Sequence, residues 1–113
     1  MSTTFTYRKS AERPAAKLWL YDDDRTLIDF SSGYTFSLKI GVPGSAALLT
    51  KTSNIVGAAG SGTEPTGTPN ITVTWTAGEL ALTPGAYAWE LTCTTSALDR
   101  VFAGEFIIRD IIT

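Results

Sequence analysis

Histidine is missing from this sequence, and cysteine and methionine occur once each. Without histidine there is no Ser-His or Cys-His dyad, no imidazole base, and none of the commonest transition-metal ligand. A single cysteine, Cys93, excludes an intrachain disulfide and a cysteine-based zinc site. Charge is sparse as well: 11 Asp and Glu stand against 9 Lys and Arg, a net charge of -2. That provides no basic field for nucleic acid and no polybasic patch for anionic lipid. No apolar run approaches the length of a bilayer span. The opening stretch MSTTFTYRKSAERP has no apolar core of the kind a signal peptide carries, so none is expected. The expectation is a protein that is not an enzyme, needs no cofactor or metal, and contacts neither nucleic acid nor membrane.

What the sequence does have is period-two patterning. Within 113 residues, 43% hydrophobic and 18% charged, there is room for one globular domain. After the turn signal Pro84-Gly85, Tyr87, Trp89, Leu91 and Cys93 alternate with Ala88, Glu90 and Thr92. A polar link, Thr94 to Asp99, leads to a second run in which Phe102, Gly104, Phe106 and Ile108 share a face. Two such runs predict an antiparallel hairpin with one core face and one wet face. Gly104 then leaves room for the ring of Trp89 or Tyr87 on the neighbouring strand. Upstream, Lys17 to Tyr21 reads as a strand, followed by Asp22 to Arg25 as a tip and Thr26 to Phe30 as its return. Tyr34 to Ile40, Ala46 to Thr52 and Asn70 to Thr76 read as further strands, and Ala77 to Thr83 as one helical turn. About seven short strands and almost no helix predict an all-β fold, a single immunoglobulin-like antiparallel β-sandwich, with a small barrel as the alternative. Residues 17–113 form that domain, and residues 1–16, interrupted by Pro14, form an extended N-terminal arm, either a short edge strand or a segment lying across a neighbouring subunit.

Candidate sites are few. Asp22, Asp23 and Asp24, with Asp29 nearby, lack calcium-loop spacing and read as a solvated hairpin tip, where Asp bonds its own backbone. Glu90 and Glu105 fall on the wet face of the hairpin, as surface charge and not as a glycosidase pair. Cys93 reads as a small core residue. Trp75 and Trp89 alternate as core residues. Trp19 and Tyr21 are out of phase with Leu18 and Leu20, so one of these pairs must face outward or into an interface. The loop from Gly57 to Pro69, rich in glycine and proline, is long for a compact domain and reads as functional or mobile. The candidate protein-contact residues are Phe5 and Tyr7 on the arm, Trp19 and Tyr21, and the terminal pair Ile111 and Ile112, which needs something to cover it.

The runs W-T-A-G-E-L-A-L-T-P-G-A-Y-A-W-E-L and D-R-V-F-A-G-E-F-I-I-R-D carry a resemblance. Together they resemble the small β-sandwich domain of bacteriophage and prophage tail proteins, akin to the N-terminal domain of baseplate upper proteins. In that family a short turn precedes a Tyr-x-Trp/Tyr-Asp/Glu-Leu strand, which Leu82, Pro84, Gly85, Tyr87, Trp89, Glu90 and Leu91 match. Gly104, Phe106 and Ile108 match the closing strand, and Leu27 to Ile40 fits the family's earlier segment. The likeness runs from Lys17 onward. It implies a structural subunit of a virion, most simply a minor tail or baseplate protein, assembled in the host bacterial cytoplasm. Its partners would be other virion proteins and further copies of itself. Longer family members continue into a fibre segment whereas this sequence stops at Thr113, which implies a standalone subunit. A capsid decoration or head-fibre protein is the alternative within that reading. A carbohydrate-binding or adhesin module, taking glycans, is the alternative outside it.

Overall fold

A computed structural model describes residues 4–64, 66–96 and 98–109. These residues form eight strands: β1 (Phe5–Arg8), β2 (Ala16–Leu18), β3 (Thr35–Gly41), β4 (Leu49–Lys51), β5 (Ile55–Gly57), β6 (Ile71–Val73), β7 (Gly85–Thr94) and β8 (Asp99–Arg109). They make a five-stranded sheet in the order β1-β8-β7-β3-β4 and a three-stranded sheet in the order β2-β6-β5. The chain is therefore all-β, with two sheets around one core, as in a β-sandwich. Among the described residues no helix is long and apolar enough to cross a membrane.

The β7–β8 hairpin is the longest ladder, with Gly85 opposite Ile108 at one end and Thr94 opposite Asp99 at the other. Its phase is the expected one. Trp89, Leu91 and Cys93 on β7, and Phe106 and Ile108 on β8, are buried. Glu90, Ala103 and Glu105 are exposed on the opposite face. The strand β3 docks antiparallel on β7 and turns Leu38 and Ile40 inward. The small sheet contributes Ala16, Leu18, Ile71 and Val73 from its side. Because residues i and i+2 share a face, each of these short strands places two apolar side chains in the core.

Several expectations are corrected. The first segment takes the short-edge-strand alternative and belongs to the sheet: β1 pairs with β8, in parallel, with Phe5 opposite Phe106 and Arg8 opposite Arg109. The sandwich is thus not wholly antiparallel, and the described residues give eight strands where about seven are expected. The boundary at residue 16 also falls inside the domain, because Ala16 opens β2 and is itself buried. Tyr7 is a core residue, 5% exposed. Its ring stacks on Phe106 at 5.5 Å, meets Trp75 edge-on at 5.6 Å, and its hydroxyl donates to the carbonyl of Pro14 at 2.8 Å. Burial raises the Tyr7 hydroxyl above the ordinary tyrosine value.

The return of the first hairpin is likewise not a strand. Thr26 to Phe30 has one bridge, Tyr21 to Leu27, although Ile28 and Phe30 are buried. Ala77 to Thr83 makes turns and no helix, with the Glu79 amide donating to Thr76 and the Ala81 amide to Gly78. Within the stretch from Gly57 to Pro69, Gly57 belongs to β5, and Ser61 and Thr68 exchange both backbone hydrogen bonds. Glycine is required at position 67, where a Cβ would lie 2.2 Å from the Ser61 carbonyl oxygen. Ile111 and Ile112 lie outside the described residues.

Candidate docking cleft

Three segments close around a cleft of about 860 Å³: the turn after β2, Thr63 and Glu64 beyond the Ser61–Thr68 bridge, and the facing stretches of β7 and β8. Each is fixed by local chemistry. At the first turn, the Asp22 carboxylate accepts the amides of Asp24 and Thr26 at 2.9 and 3.1 Å, while Arg25 takes the left-handed conformation at φ 62°. This is the solvated tip expected of an aspartate run, held by its own side chain. Among the described residues no group of three His, Cys, Asp or Glu is placed to hold a metal ion. At the second segment, the Ser61–Thr68 pair and the Thr63 carbonyl, which accepts the Gly67 amide at 2.7 Å, present Thr63 and Glu64 at the rim.

The walls of the cleft are aromatic. Trp19 and Tyr21 come from the first turn, Trp89 from β7 and Phe102 from β8. Of the candidate contact residues, the structure therefore brings together Trp19 and Tyr21. Phe5 stands behind the wall, its ring tilted against Trp89 at 5.9 Å. Tyr7 belongs to the core and not to the cleft. The phase conflict among Leu18, Trp19, Leu20 and Tyr21 has a simple resolution. The strand β2 ends at Leu18, and Leu18, Trp19 and Leu20 are all buried, Trp19 being 9% exposed. The Trp19 indole Nε1 is buried and has no hydrogen-bond partner among the described residues. Charge at the cleft comes from Asp22, Glu64 and Arg25.

Two buried polar features have no counterpart among the candidate residues of the sequence. Asn70, fully buried, bonds the backbone of Leu20 and Ile28 and so anchors the segment that carries Trp19 and Tyr21. Lys51 on β4, with 1% of its side chain exposed, donates to both carboxylate oxygens of Glu79 at 2.8 and 2.9 Å. Burial raises the Glu79 carboxyl, but hydrogen bonds from Lys51 and from the Thr76 amide overcome that and hold it below the usual value. A sequence signal existed for the second feature. Thr76-x-x-Glu79 has the spacing at which a glutamate reaches back to a backbone amide, and here it does so at 2.7 Å.

The β8 strand runs beside the cleft with one side only partly covered. Its pairing with β1 spans Phe106 to Arg109, so Asp99 to Glu105 has no strand neighbour on that side among the described residues. No family model matches the chain, and no curated protein or solved structure gives a significant match. The reading of function therefore rests on the sequence resemblance and on this geometry.

Proposed function

We propose that this chain is a structural subunit of a bacteriophage virion, a minor tail or baseplate protein. It would work by docking onto other virion proteins and onto copies of itself, without chemistry of its own. The observation that carries the reading is the central hairpin. Six residues of the tail-protein resemblance, Tyr87, Trp89, Leu91, Gly104, Phe106 and Ile108, fall on one face of β7 and β8, with Trp89 directly opposite Gly104, while Glu90, also part of the resemblance, is exposed on the other face. Exposed large apolar side chains at Val42, Leu48, Val56, Leu98 and Val101 supply surface for docking. Assembly would take place in the host bacterial cytoplasm, and capsid decoration or head fibre is the other position in the particle that such a block suits.

We read the finer topology as immunoglobulin-like. With β2, β6 and β5 as strands B, E and D, and β3, β7 and β8 as C, F and G, the sheet orders fit that scheme, β4 standing as C′. The Tyr87 hydroxyl donates to the Thr83 carbonyl upstream of β7, as a tyrosine corner does. Light scattering of the purified chain across a concentration series tests the docking reading. Trimers, hexamers or larger assemblies support it. A monomer at every concentration, with no incorporation when other tail proteins are co-expressed, counts against it.

A second reading draws on the cleft itself. Tyr21 and Phe102 beside Asp22 and Glu64 combine apolar walls with carboxylates, the pairing that a carbohydrate-binding module uses. A glycan array with the isolated monomer separates the two, because only this reading expects a hit.

A further inference from the structure

We infer that the outer face of the five-stranded sheet, centred on Lys39 and Glu90, is the surface through which two copies of this chain dock face to face. The contact forms either a simple pair or the pairwise joint of a larger assembly. The inference rests on the docking reading and names the surface and the partner. It begins with the register of β3 on β7. On the side away from the core, Thr35 stands beside Thr94, Ser37 beside Thr92, Lys39 beside Glu90 and Gly41 beside Ala88. Lys39 and Glu90 are both exposed, and they form no ion pair with each other. Next to them on β8, Val101 and Ala103 are exposed on the same face.

Each of these rows is its own complement. A two-fold axis between the copies, running along the strands midway between β3 and β7, would place β3 of one copy over β7 of the other. Lys39 of each copy then meets Glu90 of the other, so a single row supplies both opposite-charge contacts of a symmetric interface. The remaining rows set hydroxyl on hydroxyl and Gly41 on Ala88. Stacked sheets lie about 10 Å apart, a gap that a lysine and a glutamate side chain span together. The charged row lies inside the ladder, so the turn of about 30° between aligned sheets displaces it little.

The other charges on this side do not oppose one another. Asp99, Glu105 and Arg109 on β8 fall over the β4 side of the second copy, where the outward residue of the strand is Thr50. Arg8 stands beside Arg109 at the rim, and Arg100 belongs to the inner row, opposite buried Cys93. The uncharged Val42–Ala47 loop walls one end of the face, beside a hollow of about 550 Å³ that Lys39, Ala88 and Glu90 also line. The centre of the face thus carries one charge of each sign, which suits a copy better than a strongly basic or acidic partner. Its size suits a reversible contact. Strands β3, β7 and β8, of 7, 10 and 11 residues, present about 450 Å² in plane at about 3.4 Å per residue and 4.8 Å per strand. That is below the roughly 800 Å² per partner of a standard interface, so association should depend on concentration.

Charge reversal tests this, by sedimentation equilibrium of the full chain at about 0.05 M salt, where surface charge is little screened. The parent should associate as concentration rises. Lys39→Glu opposes glutamate to Glu90 at both contacts, and Glu90→Lys opposes lysine to Lys39. Each variant alone should associate about ten-fold more weakly, the scale of two exposed pairs turned from attraction to repulsion. Mixed in equal amounts, the two variants should recover to within about three-fold of the parent, because each then meets the opposite charge twice. Either change also sets like charges beside each other within the chain, and melting reports that cost. Mixing leaves it untouched, so recovery on mixing isolates the contact between copies. Single variants that associate like the parent, a mixture no better than its components, or a parent monomeric at every concentration would each overturn the proposal. Assembly of the parent that ignores both changes removes this inference alone and keeps the docking reading. Association that obeys the charge test, without incorporation beside co-expressed tail proteins, keeps this surface and removes the virion reading.

Discussion

Asn70 and Leu20 are joined as two residues of a ladder would be, except that one partner is a side chain. The Asn70 carboxamide oxygen accepts the Leu20 amide at 2.9 Å, and its nitrogen donates to the Leu20 carbonyl at 2.8 Å and to the Ile28 carbonyl at 2.9 Å. Three buried backbone groups are satisfied in this way where β2 has ended and no strand continues. Asn70→Leu should keep the volume and lose all three bonds. The Leu20 carbonyl keeps the Ile28 amide at 3.1 Å, so two buried groups are orphaned, the Leu20 amide and the Ile28 carbonyl; at about 1–3 kcal/mol each, partly relieved by relaxation, we expect a loss of about 3 kcal/mol in urea unfolding. A change below about 0.5 kcal/mol would show that water replaces the amide without penalty.

Trp89 faces Gly104 across the β7–β8 ladder, and Leu91 faces Phe102 one step on. Large and small side chains thus alternate along the inner face. Gly104→Val would place two methyl groups beside a buried indole and cost about 1–3 kcal/mol by overpacking. Thermal melting checks this, and a variant as stable as the parent would mean that the indole leans away from Gly104.

The parts of the fold that could be read in the sequence are those where one periodicity runs for five residues or more. The alternation in Tyr87 to Cys93, Phe102 to Ile108 and Phe36 to Ile40 survives in the burial of these strands. At the N-terminus, Phe5 and Tyr7 alternate just as plainly, but no local signal says that a strand will pair in parallel with one about a hundred residues later. Trp19 and Leu20 were ambiguous because strand period stops at Leu18 while burial continues, supported by an asparagine at position 70. Lys51 sits on a short, weakly patterned strand, and its burial depends on Glu79, a partner that only the tertiary fold brings near. The cleft was half visible, since Trp19 and Tyr21 were marked while Phe102 and Glu64 belong to segments with independent local signals.

Cys93 is fully buried, and burial, opposed only weakly by the nearby Arg100 charge, pushes its thiol up to about 12 from a reference of 9.0. The nucleophile is the thiolate, so the native protein should be inert to a disulfide-exchange reagent at pH 8. Labelling should follow unfolding, one equivalent appearing across the denaturant transition. The sign for stability is definite. A group whose folded value is raised binds its proton more tightly when folded, so its contribution is complete below about pH 9 and is lost as pH rises toward the folded value. Cys93→Ala should flatten that alkaline decline. Rapid native labelling would mean that β7 opens far more often than its place between β3 and β8 implies.

The Lys51–Glu79 pair is asymmetric, with 1% of the lysine side chain exposed and 19% of the glutamate. That asymmetry predicts an order of effects. Glu79→Gln strands a dry ammonium beside Trp75, whose ring centroid is 5.9 Å from Nζ, and should cost about 3 kcal/mol or more. Lys51→Met leaves a carboxylate that water and the Thr76 amide can still reach, so its cost should be smaller. Glu79, held below its reference value of 4.5, contributes stability that is present above that value and lost as pH falls through the lower folded value. Urea unfolding from about pH 7 down to about pH 3 should therefore show a falling midpoint in the parent and a shallower fall in Lys51→Met. Both single changes ranking the other way, or parallel pH profiles, would mean that the pair is not what ties β4 to the turn before β7.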